Sequence, residues 1–228
     1  MARRATTGAR GPTNAGRRFP AEVLGPDEVL ALLAGCDGNR PSGLRNRALI
    51  ALLYRAGLRV SEALSLLPKD VDAEAGSVRV LRGKGGHART VGIDPGGLAI
   101  VEAWRRCRAE VGFTAREPLL CTMRGTRMTA SYVRVLLPRL GAKAGIEKRV
   151  HAHGLRHAHA AELRAEGVDI AVISRQLGHR SLLTTIEYLD HLAPAAVLER
   201  IGRREWLKWK APPCTRTFRT KAPTAPCA

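Results

Sequence analysis

The stretch SVRVLRGKGGHARTVGI, residues 77–93, sets the fold class of this chain. Its two halves, 77–82 and 88–93, alternate apolar and polar side chains as β-strands do, and the glycine-rich GKGGH between them is typical of a tight connection. The stretch therefore predicts a β-hairpin. No strand–helix–strand alternation and no internal repeat surround it, so the pattern does not indicate a parallel α/β sheet.

Helical patterns fill most of the chain on both sides of this hairpin. Before it, Pro26 suits a first helical turn, an apolar run covers 45–56 and ends at Gly57, and a third helix runs from near Val60 to Pro68. After it, helices are predicted over 95–111, 130–144, 155–166, 169–177, 181–190 and 194–208. We expect a mainly α domain with a small antiparallel β-hairpin or sheet, an α+β fold.

The two ends of the chain differ from this folded body. Residues 1–20 contain five arginines, no acidic residue and several Gly, Thr and Pro, and residues 210–228 have the same character. Such segments cannot bury enough apolar surface to fold alone. We expect a flexible basic arm over 1–20, one folded domain over 21–209 and a flexible basic tail over 210–228.

The charge of the chain favours a polyanionic partner. Its 38 Lys and Arg stand against 20 Asp and Glu, which gives a net charge of +18. Such an excess attracts nucleic acid, the commonest polyanion available to a soluble protein. Of the 38 basic residues 31 are Arg and only 7 are Lys, so a lysine at a special position is informative.

Cysteine usage and hydropathy exclude several other classes of protein. The five cysteines are odd in number, scattered and never spaced C-x-x-C, which argues against a disulfide framework and a zinc ribbon. No apolar stretch approaches the length of a membrane span, and the basic N-terminus lacks the apolar centre of a secretory signal. The sequence therefore predicts a cytoplasmic protein without a membrane partner.

Two segments carry polar residues that a plain amphipathic helix does not require. Residues 57–62, GLRVSE, place Arg59 at a junction between two helices, where free backbone N–H groups suit an anion. Residues 177–188, LGHRSLLTTIEY, place Tyr188 nine residues after His179. Taken singly, an arginine after a capping glycine is typical of a surface, and a lone tyrosine is typical of a core or an interface.

A third segment, residues 151–159, holds four histidines in nine residues. His153 and His157 have the i, i+4 spacing of a helical zinc pair, but no thiolate is near and Glu162 lies more than a turn beyond them. Arg156 stands between the two histidines and would repel a cation. The segment is better suited to a phosphate, because all its members can donate hydrogen bonds to an anion. We expect no metal and no other cofactor.

Together, these segments resemble a known family. The order of motifs is G-L-R-x-S-E, G-K-G-G on the hairpin, H-x-L-R-H, L-G-H and T-T-x-x-Y, and it is similar to that of the tyrosine recombinases, the phage-integrase and Xer-like group. The resemblance covers about residues 26–192. It implies the catalytic-domain fold of that family and a site-specific recombinase or integrase that cuts and rejoins DNA without metal or ATP.

The resemblance also implies roles for the central residues. Tyr188 would attack the scissile phosphate to give a 3′-phosphotyrosine and a free 5′-hydroxyl. Arg59 and Arg156 would bind the non-bridging oxygens, because fixed cationic donors can replace a metal ion in phosphoryl transfer. Lys84 would protonate the 5′-oxygen; an arginine could not do so, since its pKa is too high to release a proton.

The remaining implied roles belong to histidines and one carboxylate. His153 would assist transition-state stabilisation and proton transfer, and His179 would donate a further hydrogen bond to the phosphate. Glu62 would hold the arginine–histidine cluster in position without contacting the phosphate itself, and His157 would have the same supporting role.

The resemblance implies double-stranded DNA as the partner and a homo-tetramer on DNA. Members of the family carry an N-terminal helical domain that closes a clamp around DNA, and only a basic arm precedes residue 26 here. We therefore expect an accessory protein to replace that clamp domain. A further departure is Ala158-His159-Ala160, where the family has Thr-Phe-Ala; it changes packing and removes no catalytic group.

Two alternatives stay open at this point. One is a nicking-closing enzyme of the type IB topoisomerase kind, which uses similar chemistry and needs no synapsis. The other is a truncated, non-catalytic DNA-binding remnant, against which the six filled catalytic positions argue.

Overall fold

The computed structural model describes residues 23–81 and 88–179, together with Thr185. The helices of this part are α1 Pro26–Ala34, α2 Pro41–Tyr54, α3 Val60–Ser65, α4 Pro95–Glu110, α5 Ala130–Lys143, α6 Ala152–Ala165 and α7 Ile170–Leu177. The strands are β1 Val71–Asp72, β2 Ser77–Val80 and β3 Arg89–Gly92, in the order β1–β2–β3 and antiparallel throughout. The mainly helical fold with a small antiparallel sheet is confirmed.

Several predicted features lie outside the described residues. These are the two basic ends, the hairpin tip 82–87 with Lys84, the helix over 194–208, and all of 181–190 except Thr185. Thr185 is helical and fully buried. Within the described part, no helix is long and apolar enough to cross a membrane.

The two strands of the predicted hairpin pair with each other, and the described part of the sheet has one strand more than predicted. β2 pairs with β3 through Val78 opposite Val91, and both side chains are buried. β1 joins the other edge of β2, with Val71 opposite Val78. Two residues are too few to show an alternating pattern, so no sequence signal distinguishes β1 from a turn.

Two helices begin earlier than their patterns predict. α2 starts at Pro41 instead of residue 45, because proline at the first helical position supplies the required φ and lacks an N–H that would be unpaired there. α6 starts at Ala152 instead of residue 155. The sequence pattern misses its first turn because Ala-His-Gly shows no apolar period. As a consequence, His153 lies on the first turn of α6, three residues before Arg156 and on the same face.

The core is built around α2. Every residue from Ala48 to Tyr54 is buried, and α2 packs against α4 and α6. A helical stretch that is apolar on all sides, as 48–54 is, belongs in the interior, and each fully buried Leu or Ile contributes roughly 1.5–3 kcal/mol. The end of α2, and the backbone that follows it, is therefore held firmly against α6.

Gly57, just beyond α2, is required by its backbone angle and by its neighbour. Its φ is +62°, and a Cβ on it would lie 2.4 Å from Cδ2 of His159. Only glycine allows both features at once. This close approach brings the Gly57 carbonyl to α6, where it accepts a hydrogen bond from Arg156.

Candidate active site

Arg59 and Glu62 are positioned by the start of α3. Arg59 is the N-cap residue, and its backbone N–H donates to Oε2 of Glu62 at 2.9 Å. Such a bond from the third helical residue back to the cap is common at helix starts. It places the Glu62 carboxylate, only 1% exposed, directly beneath the Arg59 side chain, which is 27% exposed.

The Glu62 carboxylate joins three arginines. Nη1 of Arg59 donates to Oε1 at 2.9 Å, and Arg89 on β3 donates from Nη1 and Nη2 to the two oxygens, at 2.9 Å each. Nη1 of Arg156 lies 4.0 Å from Oε2. Burial by itself would raise the pKa of Glu62, but the hydrogen bonds from Arg89 and from the Arg59 backbone outweigh it and lower the pKa to about 2. Glu62 is therefore ionised at neutral pH.

Arg156 is fixed by the C-terminal end of α7 and by the backbone that follows α2. Its side chain is 3% exposed, and its guanidinium donates to the carbonyl of Gly57 at 2.6 Å and to the carbonyl of Leu177. The carbonyl of Leu177 lies at the C-terminus of α7, where carbonyls lack intrahelical partners and carry partial negative charge, so it suits a cation. Packing thus holds the guanidinium of Arg156 in one orientation.

His179 lies beside Arg156 and is anchored from the other side. Its Nε2 is 3.3 Å from Nη2 of Arg156, and its Nδ1 is 2.8 Å from Oγ1 of Thr185. Because a guanidinium only donates, Nε2 accepts; Nδ1 then carries the proton and donates to Thr185. Burial, followed by the charges of Arg156 and Arg59, lowers the pKa of His179 to about 4, which agrees with a neutral ring.

His153 and His157 make an edge-to-face ring contact along one face of α6. Their ring centroids are 4.2 Å apart, with the planes nearly perpendicular. Burial lowers the pKa of both, and the charges of His151, Arg156 and Arg59 lower it further at His153; at His157 the pKa falls to about 4. Over 23–81 and 88–179, no three His, Cys, Asp or Glu side chains are grouped so that they could hold a metal ion.

The structure brings together six of the eight residues singled out from the sequence. These are Arg59, Glu62, His153, Arg156, His157 and His179. The other two, Lys84 and Tyr188, lie outside the described residues, so their places in the site stay predictions. Three arginines and one glutamate among neutral histidines leave an excess of positive charge. Such an arrangement can bind a phosphate and stabilise charge that develops on its oxygens.

The sequence motifs assign no role to two residues of this cluster, Arg89 and Thr185. Arg89 follows the glycine-rich loop, and its strand pattern shows only that a polar side chain stands there. Thr185 carries a usable signal, because it precedes Tyr188 by three residues within a predicted helix. Residues at that spacing share a helix face.

A glycine substitution tests how closely the cluster is packed. Gly178 has a φ of +63°, and a Cβ on it would lie 2.6 Å from Nε of Arg89. We expect Gly178→Ala to lower the free energy of unfolding by roughly 2–4 kcal/mol, from backbone strain and from displacement of Arg89. The measurement is chemical denaturation.

Gly145→Ala is the matched control for that substitution. Its φ is +70°, and nothing lies within 4 Å of the added Cβ. It should therefore show the backbone cost alone, about 1–2 kcal/mol. Equal losses for the two variants would contradict the close contact between Gly178 and Arg89.

Because of its buried histidines, we expect the protein to lose stability in mild acid. His159 is 5% exposed, and burial, then the charges of Arg55 and Arg156, lowers its pKa to about 4. The unfolded chain takes up a proton near pH 6.5 and the folded chain does not until near pH 4, so stability is lost as the pH falls through that window. We expect His159 to contribute on the order of 2 kcal/mol to the loss between about pH 7 and about pH 5, measured by denaturation at both pH values.

His159→Phe isolates this contribution. Phenylalanine has a similar ring and no titration, and the Nε2 atom that it replaces is buried without a hydrogen-bond partner among the described residues. The stability of this variant should fall less steeply between neutral and mildly acidic pH. An unchanged slope would show that other groups cause the acid sensitivity.

Comparisons with known proteins agree with this geometry. The sequence profile of the phage integrase family matches residues 22–194. The tyrosine recombinase XerD of Mycobacterium tuberculosis is 38% identical over 184 residues, which are 78% of this chain and 58% of that protein. The crystal structure of XerA recombinase superposes with a TM-score of 0.72 at 30% identity, covering 87% of this chain and 71% of that one.

A second solved structure is that of the XerH site-specific recombinase bound to palindromic difH substrate, in a post-cleavage complex. It has a TM-score of 0.66 and 28% identity, and covers 84% of this chain and 55% of that one. This chain thus spans just over half the length of its curated relative XerD. Because the family profile covers most of the sequence and its fold is shared, the chain belongs to the phage integrase family.

Proposed function

We propose that this chain acts as a site-specific DNA recombinase or integrase, which cuts and rejoins DNA strands through a 3′-phosphotyrosine intermediate without metal or ATP. The observation that carries this proposal is the cluster around Glu62. It holds Arg59 and Arg156 in fixed orientations, with His179 beside Arg156. Fixed donors of this kind act where charge develops in a phosphoryl-transfer transition state.

In the proposed reaction, the phenolic oxygen of Tyr188 forms a bond to the scissile phosphorus as the bond to the 5′-oxygen breaks. His153 assists removal of the phenolic proton, and Lys84 gives a proton to the departing 5′-oxygen. Arg59 and Arg156 donate to the non-bridging oxygens throughout. The phosphoester to tyrosine retains the energy of the broken bond, so attack by a 5′-hydroxyl reseals the strand without ATP.

The proposed roles of the remaining residues follow their contacts. Glu62 orients Arg59, and His157 supports His153 through ring contact. His179 accepts from Arg156 in the free protein. A phosphate beside Arg156 would favour the protonated form of His179, whose Nε2 could then donate to an oxygen of that phosphate.

We also propose double-stranded DNA as the substrate and a homo-tetramer as the form that acts on it. The net charge of +18 supports a DNA partner, and the structure of XerH was solved with a palindromic DNA substrate. A palindromic site matches a symmetric pair of protein subunits.

A pool of nicked duplexes of randomised sequence tests the proposal without knowledge of the target. Cleavage close to a nick releases a short fragment with the 5′-hydroxyl, so that resealing fails and the covalent adduct accumulates. We expect a protein–DNA adduct that survives detergent and contains phosphotyrosine. No adduct, or one linked through another residue, would refute the proposed function. Sequencing the captured DNA then gives a defined substrate.

Supercoiled plasmids carrying two copies of the captured sequence distinguish recombination from nicking and closing. A recombinase should produce exchanged products as well as any relaxation. Relaxation without exchange would instead support the topoisomerase-like alternative, and DNA binding without cleavage would support the non-catalytic one.

A further inference from the structure

Arg89 is the most strongly engaged side chain of the cluster to which no role has yet been given. It lies at the start of β3, and its side chain is 15% exposed. Its two terminal nitrogens donate to the two oxygens of Glu62, each at 2.9 Å. Paired bonds between a guanidinium and a carboxylate fix both groups in one plane.

The charges of the cluster show what this pairing does. Glu62 contacts Arg59 directly and lies 4.0 Å from Arg156. Its negative charge therefore offsets part of the positive charge of the two arginines that are proposed to bind the phosphate. Three arginines and one glutamate give 3 − 1 = +2; without Arg89 the sum is 2 − 1 = +1. Because the cluster is poorly exposed, solvent screens this difference only in part.

The geometry also separates Arg89 from direct contact with a phosphate. Each of its terminal nitrogens donates to Glu62, its Nε is buried, and its guanidinium lies close to Gly178, the residue before His179. Arg59, in contrast, donates to Glu62 from Nη1 alone and to the carbonyl of Gly178 from Nη2 at a longer 3.4 Å, and it is the more exposed of the two arginines.

We propose that Arg89 is a positioning residue of this site: it neutralises and orients Glu62, so that Arg59 and Arg156 keep the positive charge that binds a phosphate. The identity of that phosphate, the scissile group of DNA, rests on the proposed function. The pairing of Arg89 with Glu62 does not depend on the proposed function.

The test is a charge-restoring pair of substitutions. Arg89→Met removes the cation and keeps a side chain of similar length, whereas Glu62→Gln in the same chain removes the opposing charge and keeps an acceptor for the Arg59 backbone. The summed charge is +1 in the single variant and returns to +2 in the double variant. Arg105→Met, which breaks the Arg105–Glu102 pair on α4, is the control for loss of an arginine–glutamate pair.

The first measurement is the affinity for inorganic phosphate, followed through the ring protons of His153 and His179 in NMR titrations. We expect Arg89→Met to weaken binding about tenfold, the effect of one nearby charge, and the double variant to regain most of it. The second is the rate of adduct formation on the captured substrate. It should fall roughly ten- to a hundredfold in Arg89→Met, less than on loss of a direct donor, and recover in the double variant.

The outcomes separate this inference from the proposed function. Unchanged phosphate affinity in Arg89→Met, or a loss that Glu62→Gln does not relieve, would overturn the role of Arg89, since a purely structural contact would be damaged further by the second substitution. If the wild-type chain makes no adduct but the variants show the expected order of phosphate affinities, the recombinase proposal is refuted and the role of Arg89 is upheld.

Discussion

A chain carrying Tyr188→Phe is expected to form no covalent DNA adduct at all. The substitution keeps the aromatic ring and removes only the oxygen that would form the bond to phosphorus, so the proposed reaction has no nucleophile. DNA binding should change little, because phosphate contacts elsewhere on a chain of charge +18 supply most of the affinity. The measurement is the detergent-resistant adduct formed with nicked DNA, beside a binding titration at the same salt concentration.

Tyr132→Phe is the matched control for the loss of a phenol. Tyr132 lies on α5, where it is 45% exposed and its hydroxyl is 3.2 Å from Nη2 of Arg45. That variant should form the adduct at the wild-type rate. An adduct that survives Tyr188→Phe would place the nucleophile elsewhere and remove the central residue of the proposal.

The second large effect is expected at Arg156. Arg156→Lys keeps the charge, but an ammonium is not a planar fork and cannot hold the carbonyls of Gly57 and Leu177 while facing a phosphate. We expect the rate of adduct formation to fall by about a hundred- to a thousandfold, the usual loss when a transition-state donor is removed. Single-turnover cleavage of the captured substrate measures it, and DNA affinity should stay within a few-fold.

Arg156→Ala should abolish cleavage, and the structure adds that it also costs stability. Two buried carbonyls lose their donor, at roughly 1–3 kcal/mol each. Arg108 offers a control for that cost, since it is equally buried and donates to the carbonyls of Thr114 and Glu117, at 2.7 Å each. If Arg108→Ala lost stability and cleavage in the same proportion, the effect at Arg156 would be one of folding instead of chemistry.

Most of the fold can be predicted from the sequence because its signals are local. The period of apolar residues along α4 and α7, the glycines after helices and the alternation on either side of the hairpin all act within a few residues. The predicted starts of α2 and α6 are less accurate, because polar residues in their first turns obscure the apolar period. β1 is too short to be recognised.

The amino-acid sequence by itself determined the order of the motifs, and with it the family, the mainly helical class and the residues Arg59, His153, Arg156, His179 and Tyr188 as candidates. A motif states which side chains are present near one another along the chain. It does not state which atoms they contact.

Only the tertiary structure decided those contacts. Glu62 meets Arg89 across 27 positions of the chain, and Arg156 meets Gly57 across 99. Such pairs form only when α3, α6 and β3 pack together, and their geometry depends on backbone positions that no local pattern encodes. The same packing makes the Nε2 atom of His179 an acceptor, through Arg156 on one side and Thr185 on the other. The types of side chain in this site are therefore set by local sequence motifs, whereas its charge balance and the positions of its protons are set by the tertiary structure.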